Sequence, residues 1–190
     1  MKKLVQVCTF GLAGLFSGYA IAERPGFGLQ LADETAKLSL FTETEWVRDI
    51  YRLDAGFQFD DDKNYALDAS VLYKGKGLLD PNTDIGIKAK LAYLTMDSGI
   101  DALGVLLGIQ ASYWMPTTIP TAITAGYLYS PKVLTTGDGD SLVELDLRYS
   151  ARLMRSMTGY VGYRQLKIKM ENVSDIHFDK GVHIGIELSF

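Results

Sequence analysis

The chain ends in G-V-H-I-G-I-E-L-S-F, residues 181–190, and the reading of this stretch decides the fold. Val182, Ile184, Ile186, Leu188 and Phe190 fall on one face of an extended strand, while His183, Gly185, Glu187 and Ser189 fall on the other. Successive side chains of a strand point to opposite faces, so strict alternation with one apolar face marks a half-buried strand. Chain ends fray unless something holds them, so a strand this regular at the last residue needs a neighbour. That neighbour is either the sheet of a soluble sandwich or the first strand of a closed barrel.

The other end narrows the choice. Lys2 and Lys3 precede a nearly charge-free run from Leu4 to Ile21, and Ala20-Ile21-Ala22 forms a small-residue cleavage site. This pattern is a secretory signal peptide, with cleavage expected after Ala22. Residues 23–190 then form one domain, a length suited to a single core. The only cysteine, Cys8, leaves with the signal, which excludes disulfides and thiol chemistry from the mature chain. The mature chain keeps 17 basic and 23 acidic residues, a formal charge of −6. An acidic chain without basic runs argues against nucleic acid as a partner. No run after Ala22 reaches the roughly 18 apolar residues of a membrane helix, so any crossing of a bilayer must be made by strands.

Period two recurs along the whole mature chain. Residues 51–59 place Tyr, Leu, Ala, Phe and Phe on one face against Arg52, Asp54, Gly56 and Gln58. The segments 65–73, 85–93, 103–113, 123–129 and 143–153 repeat the pattern, with turn residues between them. In 159–170, Val161 and Tyr163 share one phase while Leu166, Ile168 and Met170 share the other, which predicts a bulge near Arg164 or Gln165. The shorter pair 27–31 and 36–42 alternates around Asp33-Glu34-Thr35. With that pair the sequence predicts about ten strands, without it about eight, and both even counts suit an up-and-down outer-membrane barrel. The connections at 115–120 and 154–156 are short, whereas 131–140 and 171–180 are longer and polar, the asymmetry expected between periplasmic turns and outer loops. The stretch 74–83 is long where a short turn belongs.

The polar face separates lipid from water as the medium outside. It carries both signs: Arg52, Asp54, Asp68, Lys88, Lys90, Glu144, Asp146, Arg148, Arg152, Lys167, Lys169 and Glu187. In a barrel these groups line the lumen, where opposite charges pair. Leu72, Leu94, Leu106 and Trp114 fall on the same inward phase and narrow any channel. Aromatic residues collect at strand ends, with Tyr51, Tyr73, Tyr113 and Phe190 toward one rim and Phe59, Tyr65, Tyr93, Tyr127 and Tyr129 toward the other. Two girdles of such rings suit the two water–lipid boundaries. Closure also removes the sheet edges that a long apolar sheet cannot leave exposed.

The terminal pattern His183-x-Gly185-x-x-Leu188-x-Phe190 resembles the carboxyl-terminal sorting signal of outer-membrane barrels. That resemblance implies the barrel-assembly machinery and periplasmic chaperones as partners during biogenesis. Y-L-Y-S-P-K-V-L-T-T-G-D-G-D, G-Y-V-G-Y-R-Q-L-K-I and D-I-H-F-D-K-G-V-H-I-G-I-E-L-S-F resemble the YfaZ family of small outer-membrane proteins. The resemblance implies the barrel fold and the outer-membrane compartment and brings no catalytic set; the alternation and the terminal pattern predict a monomer in the membrane lipid, with acidic loop tips placed to meet lipopolysaccharide.

Chemistry finds little footing in the residues. His177 and His183 are the only histidines, and a lipid A or peptide hydrolase would need one of them with Ser174 or Ser189. No nucleophile elbow accompanies them. Asp60-Asp61-Asp62 and Gly137-Asp138-Gly139-Asp140 lack the spacing and terminal glutamate of an EF-hand loop. The sequence therefore predicts a non-enzymatic envelope barrel without metal or cofactor, at most a narrow porin-like channel.

Overall fold

The computed structural model describes residues 23–170 and 176–190; the expected signal peptide and the expected cleavage after Ala22 lie outside the described residues, as does Ser174. Ten long strands make the wall: β1 (Glu23–Ala32), β2 (Thr35–Glu45), β3 (Asp49–Asp60), β4 (Tyr65–Gly75), β5 (Thr83–Thr95), β6 (Asp101–Met115), β7 (Thr121–Ser130), β9 (Ser141–Met154), β10 (Met157–Lys169) and β11 (Ile176–Ser189). Between β7 and β9 lie a 3-10 turn (Lys132–Leu134) and a three-residue strand, β8 (Thr135–Gly137), which continues the line of β7 along β6. Sequence neighbours pair antiparallel, β5 pairs with β6, and β1 pairs with β11, so the sheet closes on itself as a ten-stranded barrel. The closing pair explains the opening stretch. Residues 183–189 run along Ala32 to Gly26, and the last amide, Phe190 N, donates to Pro25 O at 2.9 Å.

The alternation read from the sequence sets the two faces. Leu53, Val71, Ile87, Leu107, Leu147 and Ile184 stand outward and exposed to the surrounding medium, while their strand neighbours point into the barrel. Tyr51 and Tyr73 pair across β3 and β4 at 5.0 Å between ring centroids, and Phe27 stacks on Phe190 at 6.1 Å, both at the rim that carries the chain termini. Phe57 stacks on Tyr65 at 6.0 Å toward the far rim. An apolar outer band with aromatic rings at each end is the surface of a membrane-spanning barrel. Leu145 stands on this band within β9. Leu145→Arg is expected to cost about 2–4 kcal/mol in lipid, read by urea titration in vesicles, because a charge at mid-depth has no water to meet. A loss under about 0.5 kcal/mol would place that face in water instead.

Three sequence-based expectations are corrected. β10 keeps one phase throughout: Arg164, Leu166 and Ile168 all point inward and are buried. The irregularity lies on its partner, where Leu166 pairs with Asp179 but Lys167 pairs with His177, so Phe178 is the extra residue of β11. The apolar phase of 166–170 therefore faces an apolar layer inside the barrel rather than lipid. Lys167 and Lys169 consequently sit on the outward phase near the far rim, not in the lumen.

The two rims are also less different than expected. At the far rim the connections span 33–34, 61–64, 96–100 and 131–140; of the expected loop 171–180, residues 171–175 lie outside the described residues and 176–180 belong to β11. At the terminal rim they span 46–48, 76–82, 116–120 and 155–156. The long 76–82 connection has a local explanation. Asp80-Pro81-Asn82 forms a turn in which Thr83 N donates to Asp80 O at 3.0 Å and Asn82 N donates to Asp80 Oδ1 at 2.8 Å. The Thr83 hydroxyl and the Asn82 amide hold the Asp80 carboxyl below the usual carboxylate range. Lys76 N donates to Arg48 O at 2.7 Å and Trp114 N to Asn82 O at 2.8 Å, so the connection is tied down on both sides.

Candidate functional site

The lumen has three levels, and the strand register decides which residues meet at each. At the far rim Leu94, Leu106, Leu142, Leu166, Ile168 and Phe178 pack together, all fully or nearly fully buried. With Ala66 of β4 and Leu128 of β7 in the same packed cluster, the layer draws on seven of the ten long strands. A small barrel has an interior that side chains can fill, and here apolar ones fill it.

Below this apolar layer lies a charge-balanced one. Lys37 bonds Asp68 at 2.5 Å, Lys90 lies 3.8 Å from Asp68 and bonds Glu144 at 2.7 Å. Arg164 lies 3.3 Å from Glu144 and 3.4 Å from Asp179, and its Nη1 donates to Gln58 Oε1 at 2.7 Å. Gln58 Nε2 in turn donates to Asp179 at 2.9 Å. Three cations and three carboxylates from six strands thus neutralise one another across the barrel. Burying charge is costly unless each group is paired, and here every charged group has an opposite charge within 4 Å, although Arg164 Nε makes no hydrogen bond.

The third level opens to the terminal rim as a cavity of about 760 Å³. On one wall Arg52 makes a two-pronged contact with Glu187 at 2.9 and 3.0 Å, a geometry that fits the planar guanidinium, and its Nε reaches Asp54 at 3.0 Å. Arg148 lies 2.7 Å from Asp146 and 4.0 Å from Glu187. The Arg52 guanidinium covers the Phe41 ring at 4.0 Å and that of Arg148 covers Tyr160 at 5.0 Å. On the facing wall Lys88, Gln110 and Ser112 line the cavity, with the Ser112 and Thr124 hydroxyls 3.0 Å apart. Nearer the mouth Trp114 Nε1 donates to Asp84 at 2.7 Å and the Arg152 guanidinium lies 5.7 Å from the Trp114 ring. The lumen is therefore not filled along its whole length, as the inward phase of Leu72, Leu94, Leu106 and Trp114 suggested, but closed at one end and hollow at the other.

The charged residues singled out from sequence are distributed over two of these levels. Asp68, Lys90 and Glu144 stand in the balanced layer; Arg52, Asp54, Asp146, Arg148 and Glu187 form the wall below; Lys88 and Arg152 line the cavity without joining either. The sequence does not single out Lys37, Lys74, Arg164 or Asp179, which the structure also turns inward. Lys37 was legible from the outward phase of Leu38 and Leu40; Asp179 was hidden in a stretch read as loop, and Arg164 by the expected phase switch.

The residues of the sorting-signal pattern face both ways. Leu188 and Phe190 lie on the outer phase, His183 and Gly185 on the inner one. Gly162 and Gly185 leave space that a Cβ would take. At Gly162 it would come within 2.7 Å of His183 Nε2, and at Gly185 it would run into the Tyr160 ring. His183 is buried, 3.9 Å from Asp146 and edge-on to Tyr160 at 5.8 Å, and neither ring nitrogen makes a hydrogen bond within the protein. Ser189 is six residues further along the same strand, about 20 Å away, so this serine and this histidine cannot form a nucleophile–base pair. His177 lies on the outward phase and contacts Gln165 at 3.2 Å.

The acidic tips act as turn brackets. Asp60 accepts from the Asn64 amide at 2.8 Å, Asp138 accepts from Asp101 N at 3.0 Å, and Asp140 pairs with Lys132 at 2.7 Å. Among the described residues no three His, Cys, Asp or Glu side chains converge as metal ligands do.

A family model described as YfaZ precursor matches residues 57–190. No curated protein matches the sequence. Solved structures similar in shape include a bacterial polysaccharide outer-membrane secretin, at 13% identity and a TM-score of 0.43, covering 88% of this chain and 64% of that one. The outer-membrane channel DcaP of Acinetobacter baumannii is 11% identical with a TM-score of 0.41, covering 86% of this chain and 54% of its own. The NanC porin is 10% identical with a TM-score of 0.45, covering 89% of this chain and 100% of its own. This chain thus spans less than two thirds of the first two. Likeness at this level says nothing of what any of these barrels passes or binds.

Proposed function

Because the chain belongs to the YfaZ precursor family, we propose that it serves in the bacterial outer membrane as a non-enzymatic barrel that holds a hydrated, charged cup rather than an open pore. The observation that carries this reading is the stacking of a packed apolar layer on a charge-balanced layer across one end of the lumen. Open aqueous channels belong to barrels of about 16 strands, and ten strands leave an interior that two such layers block. The arrangement suits an envelope component whose porin-like character is limited to a narrow path at most. It sits in lipid through its apolar band and contacts lipopolysaccharide at one rim.

The test is solute entry into liposomes carrying the purified barrel. Swelling in a neutral sugar is expected to match protein-free liposomes. Swelling at rates typical of general porins would refute the closed end.

The terminal signal belongs to the same proposal. Assembly factors read the last strand before it pairs with β1, so deleting Phe190 is expected to cut barrel yield in cells several-fold. The purified variant should still refold in detergent, because Phe190 ends the wall with one ring stack and one amide bond. Unchanged yield would refute the role of Phe190 as an address. The same experiment in cells lacking periplasmic chaperones tests those partners.

A further inference from the structure

The cup is basic although the chain is acidic. The cavity is lined by eleven Lys and Arg against eight Asp and Glu, an excess of three positive charges in a chain whose formal charge is −4. With the balanced layer set aside, whose Arg164 also pairs with Asp179, eight cations of the lining face six carboxylates. Most carboxylates inside are already committed: Glu43, Asp54 and Glu187 to Arg52, Asp146 to Arg148, and Asp68 and Glu144 to the lysines and arginine of the balanced layer. Glu45 is held by Lys76 and lies 3.7 Å from Arg24. Among the described residues, Lys74, Lys88, Arg152 and Arg155 line the cavity without an ion pair within 4 Å. Lys74 is only 9% exposed.

A buried ammonium without a close ion pair is costly, and Lys74 has carboxylates such as Asp84 only at longer range, which leaves room for a further counter-charge. The wall around these cations offers more than charge. Lys74, Lys88, Trp114, Thr124 and Arg152 come from β4, β5, β6, β7 and β9, five consecutive strands of the closed sheet. Gln110 and the Ser112–Thr124 hydroxyl pair add neutral donors between them. Low-dielectric walls around one sign of charge raise the local concentration of oppositely charged solutes. Of the adjacent carboxylates, Asp54, Asp146 and Glu187 are held by Arg52 and Arg148, while Asp84, on this wall, accepts from Trp114 Nε1 and offsets part of its positive charge.

We propose that the terminal-rim cup binds a small multivalent anion, a solute carrying phosphate or carboxylate groups, through Lys74, Lys88 and Arg152 with Trp114 beside them. The apolar layer at the far rim makes the cup a blind site, so the anion enters and leaves by the terminal rim. This inference stands on the lining of the cup and is independent of whether the far rim conducts.

Trp114 reports on the site directly. Trp46 is exposed in the connection between β2 and β3, so a Trp46→Phe barrel in detergent carries a single tryptophan inside the cup. Tripolyphosphate and citrate, as the phosphate and carboxylate probes, are expected to change its fluorescence saturably, whereas sucrose should not. Raising salt from about 0.05 to 0.5 M should weaken the binding, as for any site built on charge. Lys74→Gln and Arg152→Gln are each expected to weaken it by about tenfold, equivalent to roughly 1.4 kcal/mol. Lys180→Gln, at the far rim, should leave it unchanged. Heat-shifted gel mobility verifies that each variant is folded, and the salt and sucrose comparisons on the parent barrel need no lumen variant. Absence of saturable change with both anions, or equal affinity in folded Lys74→Gln and Arg152→Gln barrels, would overturn the proposal. A response to citrate alone or to tripolyphosphate alone would assign the site to that group.

Discussion

Arg164→Met is expected to lower the unfolding free energy by about 3–5 kcal/mol, the range for removing one member of a buried ionic network. Arg164 is 2% exposed and stands between Glu144 and Asp179, with Gln58 on its third side. Removing its charge leaves Asp179 with a single neutral donor and Glu144 with Lys90 alone. The loss comes from charge left uncompensated rather than from the intrinsic worth of each contact. Replacing Arg164 and Glu144 together, as Arg164→Met with Glu144→Leu, is therefore expected to cost less than the sum of the two single changes. Urea titration in detergent or vesicles, followed by heat-shifted mobility, reads both values. A single-variant loss below about 1 kcal/mol would show that water reaches this layer.

The second large effect concerns the apolar layer. Phe178→Ala is expected to cost about 3–5 kcal/mol, the range for truncating a buried aromatic. Phe178 is the extra residue of β11, turned inward by the bulge so that its ring packs with Leu166 and Ile168 while Asp179 beside it still reaches Arg164. Two adjacent residues pointing inward is what a bulge permits and a regular strand forbids. An outward ring at this position would pack against lipid and lose far less on truncation. A cost below about 1 kcal/mol would therefore displace Phe178 from the layer.

The contrast between these two residues indicates how far the sequence could be read. The face of nearly every strand follows from period two alone, because inward charges and outward aliphatics keep strict alternation from Tyr51 to Leu153. Leu72, Leu94 and Leu106 are legible as inward, but the inward apolar side chains of β10 are not. Leu166 and Ile168 look lipid-facing by composition, and only the convergence of several strands makes an apolar layer inside a barrel. That convergence involves residues up to about a hundred positions apart, which periodicity within one strand cannot register. The same limit hid the partners of each charge. The sequence predicts that Lys90 and Glu144 face inward, but their meeting at 2.7 Å across the lumen depends on the closed register. That Lys74 has no ion pair within 4 Å is not legible in the sequence, because it depends on where every neighbouring carboxylate ends up.

Closure of one end of the lumen is the central claim, and single-barrel conductance in a planar bilayer tests it most directly. The purified barrel, verified as inserted by its heat-shifted mobility, is expected to leave the bilayer electrically silent, or to show only brief steps far smaller than those of a general porin. Large, stable steps from the unaltered chain would contradict the account, because ions would then be crossing the layer that Leu94, Leu106, Leu142, Leu166 and Ile168 close.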